Sequence, residues 1–265
     1  MRPTDRSRLA IPLAFFFALL PAACRDRGRE AEAPRVVLTV AAAASLREAM
    51  GELEAAYEAE NRGVDVRTTF GASGLLRQQV EQGAPVDVFV SAAEGPIDAL
   101  QAAGLVDPRS RRVLAGNELV LVVPQGSTAP VRGFGDLDAP EVRRVALGAP
   151  ASVPAGEYAD EVLRALGIRE AVARKAVYGQ NVRQVLAYVE SGDADAGVVY
   201  RTDAAVSRRV RLVASAPPGT HGPITYPVAV VRRTRAPEAA RAYVAFLLGP
   251  EGRAVLRRRG FRVDG

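Results

Sequence analysis

The chain has 265 residues, enough for one large domain or two medium ones, and its 48% hydrophobic and 25% charged content is that of a soluble globular protein. Its 35 basic residues outnumber the 30 acidic ones only slightly, the two are interspersed, and no basic block carries aromatics, which excludes nucleic acid as a partner. The single cysteine, Cys24, excludes an intramolecular disulfide. With one histidine (His221, in a Pro/Gly-rich loop) and no Walker, HExxH or metal-ligand spacing, the chain does not read as an enzyme.

Arg2, Arg6 and Arg8 precede an apolar run at 9–20, and Pro21, Ala22 and Ala23 lead into Cys24. Residues 1–23 are therefore read as a secretory signal peptide, its apolar run too short for a comfortable membrane span. A lone cysteine after small residues resembles the bacterial lipoprotein box, which implies acylation of Cys24 and a lipid anchor. Pro21 stands where that pattern carries an aliphatic residue, and cleavage with release is the other reading. Residues 24–34 are rich in charge and read as a flexible tether.

The fold begins with a β-branched run at 36–40, four alanines, Ser45 and a helical pattern over 46–61. Ser45 stands where an N-cap belongs. The strand, small-residue turn and helix start make an anion-attracting unit. A second unit follows: strand 64–70, a Gly-Ala-Ser-Gly turn with Ser73 at a helix entrance, and helix 75–82. A third strand at 86–91 precedes a helix over 96–103. Residues 104–112 read as a polar connection, and the apolar run at 119–123 as a core or crossing strand. After a loop over 125–141 come strand 145–148, a helix opened by Pro154 and ended near Gly167, a short strand at 176–178, and a helix capped by Asn181. Strands at 195–200 (ending on Tyr200) and 210–213 follow, then a second apolar run at 226–231 and two amphipathic helices, 236–248 and 251–259. Alternating strands and helices of these lengths predict parallel βαβ units, with ligands at the carboxyl ends of strands.

The segments AAASL (42–46), FGASG (70–74), GAPVDVFVSA (83–92), GNELVLVVP (116–124), SVPAGEYADEVL (152–163), the 181–204 stretch, YPVAVV (226–231) and GPEGRAVLRRRGF (249–261) occur in one order and spacing. Together they resemble the periplasmic molybdate-binding proteins of ABC importers, within the type II solute-binding proteins. The resemblance implies an α/β fold of two lobes, each a mixed, mostly parallel sheet flanked by helices, joined by two crossing hinge strands. Lobe 1 would be 35–117 plus 227–265, and lobe 2 would be 118–226. It also implies a monomer held in the periplasm or cell envelope, with molybdate or tungstate as ligand, no cofactor, and the permease of an ABC importer as membrane partner. The oxyanion ligands carry over onto Ser45, Ser73, Ala155, Val182 and Tyr200, three hydroxyls and two backbone amides. Molybdenum enters only as the bound oxyanion.

Taken singly, Ser45 and Ser73 are plain N-caps, Tyr200 a core residue, and Ala155 and Val182 ordinary first-turn residues. Their joint placement, two helix starts in each lobe plus a phenol, is what suits a tetrahedral dianion. A cage of donors alone disfavours hydrogen phosphate, whose proton needs an acceptor. The alternatives are a receptor for sulfate or phosphate, or a sensor module passing an anion signal to a membrane partner.

Overall fold

A computed structural model describes residues 35–263. The leader over 1–23, acylation at Cys24 and the tether over 24–34 fall outside the described residues. The chain first lays down β1 (Val36–Ala43), α1 (Arg47–Glu60), β2 (Val64–Gly71), α2 (Ser73–Glu81), β3 (Val88–Val90), α3 (Glu94–Ala102) and β4 (Arg112–Gly116). It then builds β5 (Leu119–Pro124), β6 (Val145–Gly148), α4 (Pro154–Ala165), α5 (Arg169–Ala173), β7 (Ala176–Gly179), α6 (Val182–Glu190), β8 (Ala196–Tyr200), α7 (Arg201–Ala205) and β9 (Val210–Ser215). It returns through β10 (Thr225–Val230) and closes with α8 (Pro237–Leu248) and α9 (Pro250–Arg258).

Two five-stranded sheets result, ordered β2-β1-β3-β10-β4 and β7-β6-β8-β5-β9. Each has three parallel strands at one side and two antiparallel pairings at the other. The apolar runs at 119–123 and 226–231 are buried within the sheets, β5 in the second and β10 in the first. The chain passes between sheets at Asn117 and Glu118 and again through 216–224.

Strand β1 shows why helices cover both faces of the first sheet. Leu38, Val40 and Ala42 point into a core shared with α1 and α8, through residues such as Leu53 and Tyr243. Ala41 faces the opposite way, into a cluster holding Leu76, Phe89, Ile97 and Leu100. That alternation is the period of two of an extended chain, here apolar on both faces as a buried parallel strand requires.

Three elements differ from the sequence expectation. Part of the polar connection, with the residues after it, forms β4, whose Leu114 and Ala115 are buried while Arg112 and Val113 are exposed. The short helices α5 and α7 span five residues each, too few for a periodic pattern to register. Gly167, with φ of +72°, follows the end of α4 as expected of a left-handed C-terminal position.

Candidate functional site

Both sheets direct the carboxyl ends of their parallel strands at one small cavity. Ser45, Ser73, Ala155, Val182 and Tyr200 all line it, and Ala43, Ala44, Ala72 and Ala92 give it small walls. The cavity is small, with a volume of about 10 Å³ for a water-sized molecule. Among the described residues no charged side chain lines it.

Ser45 does not cap α1. It is the middle residue of a 3-10 turn, Ala44–Leu46, that precedes the helix, and its hydroxyl lies 2.9 Å from the Tyr226 hydroxyl. The Asn117 side-chain amide donates to the Tyr226 oxygen at 3.1 Å and to Thr202 Oγ1 at 2.9 Å. Its own carbonyl accepts the Glu118 N–H at 2.9 Å, which fixes which way the amide points. With its oxygen accepting from Asn117, Tyr226 shares one hydrogen bond with Ser45 in which either hydroxyl can donate, and when Tyr226 donates the Ser45 proton is left for the cavity. Ser73 opens α2 without capping it, and its Oγ accepts the Ala92 N–H at 3.0 Å. Ser73 thus spends acceptor capacity on the protein and keeps its donor. A buried tertiary partner has displaced the local amide that an N-cap would have used.

The second lobe contributes amides. Asn181 caps α6 as expected, its Oδ1 accepting from Arg183 and Gln184 at 3.0 Å each. This occupies the second and third amides of the helix and leaves the first, Val182, on the cavity wall. Ala155 is the second residue of α4, after Pro154, which has no amide proton of its own. There Gly156 crosses the end of β6 so closely that a Cβ would stand 2.1 Å from the Gly148 carbonyl oxygen. Only glycine lets α4 begin at that depth. The Tyr200 hydroxyl, fully buried, reaches across to the Ala92 carbonyl at 3.4 Å, a long bond that a better acceptor can displace. Burial pushes the Tyr200 and Tyr226 phenols up from their ordinary value, so both remain protonated donors. The N-terminal ends of α4 and α6 add the positive ends of their helix dipoles.

The lobes are closed on one another. The Gly74 N–H donates to the Ser152 carbonyl at 3.0 Å, and a Cβ on Gly74 would come within 2.7 Å of that oxygen. Behind the cavity Arg183 pairs with Glu48 of the first lobe and with Asp203. Burial pushes the Asp203 carboxyl up to about 6, against the pull of Arg183.

Sequence reasoning missed Tyr226, Asn117, Ala92 and the Glu48–Arg183–Asp203 group. Only Tyr226 had a signal, a phenol opening a strand that is otherwise apolar and therefore in need of a buried partner. Among the described residues no helix is long and apolar enough to cross a membrane.

Two α/β lobes closed over a small cavity walled by neutral donors are the architecture of a solute-binding protein. Residues 38–262 match the bacterial extracellular solute-binding proteins, and the chain belongs to that family. It is 40% identical over 247 residues to "Putative ABC transporter substrate-binding lipoprotein YvgL" of Bacillus subtilis (strain 168), covering 93% of this chain and 94% of that one. It is 35% identical over 257 residues to the molybdate-binding protein ModA of Escherichia coli (strain K12), covering 94% and 95%. The solved periplasmic molybdate-binding protein of Azotobacter vinelandii superposes with a TM-score of 0.77 at 23% identity, over 86% of this chain and 100% of that one, a likeness of fold.

Proposed function

We propose that the chain is the receptor of an ABC-type importer and captures molybdate or tungstate between its lobes. The composition of the cavity wall carries this reading: hydroxyl and amide groups from both lobes, no charged side chain among the described residues, and a Ser73 hydroxyl already engaged as acceptor by the Ala92 amide. Ser45, Ser73 and Tyr200 donate hydroxyl protons to the anion, and Ala155 and Val182 donate amide protons. An unprotonated tetrahedral dianion can use every one of them. Hydrogen phosphate brings a proton that must find an acceptor among groups that otherwise donate, and so binds less well. Sulfate is unprotonated but smaller, so it fills the same cage with longer, weaker bonds. The names carried by the relatives from Bacillus subtilis and Escherichia coli support both the transport role and the ligand.

The anion is cargo, not a cofactor, and it passes to a membrane permease outside the cytoplasm. Cys24 is acylated and tethers the receptor to the membrane. Calorimetric titration of the mature protein tests the ligand reading. Molybdate and tungstate bind with one site each, while sulfate and phosphate bind at least about a hundredfold more weakly. Sulfate binding as tight as molybdate would refute it. Fractionation of cells expressing Cys24→Ala tests the anchor: the variant appears in the soluble fraction, and retention in membranes would exclude acylation there.

A further inference from the structure

Three ionisable residues behind the cavity each lie within three positions of a proposed anion donor. Glu48 follows Ser45 on α1, Arg183 follows Val182 on α6, and Asp203 follows Tyr200 on α7. They touch one another although they come from remote parts of the chain. Arg183 grips Glu48 with both terminal nitrogens, Nη1 to Oε1 at 2.9 Å and Nη2 to Oε2. Its Nε stands 2.6 Å from Asp203 Oδ1, an ion pair without hydrogen-bond alignment. The second Asp203 oxygen accepts the Tyr200 N–H at 3.3 Å.

Asp203 is fully buried, while the Arg183 side chain keeps 20% and that of Glu48 33% of its exposure. A buried carboxylate needs a paired charge, and Asp203 finds Arg183 within its own lobe. The two terminal nitrogens of Arg183 meet their planar, two-point partner only when Glu48 arrives from the other lobe. The pair between lobes therefore exists in the closed arrangement and is lost on opening.

Resting on the anion reading above, we infer that Glu48, Arg183 and Asp203 are positioning residues that latch the lobes shut and tie that closure to the site's donors. Asp203 and Arg183 hold Tyr200 and Val182 in register, and Glu48 brings the turn carrying Ser45 onto them. The latch sets how long the anion is held, and the neutral donors of the cavity set which anion is chosen.

The test is stopped-flow measurement of molybdate binding and release, followed by tyrosine fluorescence, for wild type, Glu48→Gln, Arg183→Lys and Arg183→Met. Release accelerates about tenfold in Glu48→Gln and at least as much in Arg183→Met, while association changes less than about twofold. Arg183→Lys, which keeps the charge but loses the fork, falls between. The double variant Glu48→Gln/Arg183→Met releases no faster than Arg183→Met alone. Glu48→Gln lowers the melting point more in the molybdate-saturated than in the anion-free protein, which separates a latch from a merely structural ion pair. Wild-type release rates in Glu48→Gln, or a lowered anion-free melting point with an unchanged release rate, would overturn the inference. Failure of the anion reading shows separately, as wild type taking up no molybdate. Hydrogen exchange of the anion-free proteins then decides the latch, which predicts faster exchange at the Val182 and Ser45 amides in Glu48→Gln, and unchanged exchange would overturn it.

Discussion

Ser73 accepts a hydrogen bond from the Ala92 amide and Ser45 shares one with the Tyr226 phenol, and this shapes what they offer a ligand. A serine in water is donor and acceptor at once. Here a buried neighbour engages each hydroxyl, and at Ser73, which accepts from the Ala92 amide, the proton stays free to donate. A hydrogen bond to a charged group is worth about 1.5–3 kcal/mol. Ser45→Ala or Ser73→Ala is therefore expected to weaken molybdate binding by about ten- to a hundredfold in equilibrium titration, and unchanged affinity in both would remove the proposed cage. Ser45, Ser73, Ala155, Val182 and Tyr200 could all be named from the sequence because each sits beside a local landmark, a helix start or a strand end. The proton direction at Ser45 could not be named. It depends on Tyr226, which is 181 positions away, and on Asn117, which is 109 positions from Tyr226.

At the scale of elements, the legible parts are those with a long period or a strong punctuating residue. Helix α6 carries a capping asparagine and four buried aliphatics along one face, and it begins where the sequence places it. Strand β4 was hidden because two of its five residues are exposed and one of those is arginine, so neither alternation nor an apolar run announces it. It becomes a strand because β10, with its buried Val228, offers it an antiparallel edge. The approach of α2 to the second lobe is likewise invisible locally. Gly74 reads as a turn residue, yet its lack of a side chain is what allows its amide to reach the Ser152 carbonyl. The two apolar runs drew attention as possible crossings, whereas the passages between sheets run through the polar Asn117–Glu118 pair and the Pro/Gly-rich 216–224 segment.

At the scale of the whole molecule, Glu118 sits on the first of those passages and binds Arg201 of the second lobe at 2.6 Å and Arg262 near the C-terminus at 3.1 Å. The hydrogen bond from Arg201, outweighing partial burial, holds its carboxyl down at about 2. Because the folded value lies below the ordinary one of 4.5, the stabilisation is complete above that pH and is lost as pH falls toward about 2. Asp203 has the opposite sign. Its folded value near 6 exceeds 3.8, so its contribution becomes less favourable as pH rises between those values. The melting-point difference between wild type and Glu118→Gln should therefore be largest near pH 5 and shrink as pH approaches 2. A difference that stays constant over that range would show that the ion pairs at this passage do not contribute to folding.

The central claim is that one oxyanion sits where both lobes aim their donors. Diffraction from crystals grown with tungstate, recorded at the tungsten absorption edge, tests it directly. One anomalous peak is expected inside the cavity, within hydrogen-bonding reach of Ser45 Oγ, Ser73 Oγ, the Ala155 and Val182 amides and the Tyr200 hydroxyl. A peak elsewhere on the protein, or none at saturating tungstate, would contradict it.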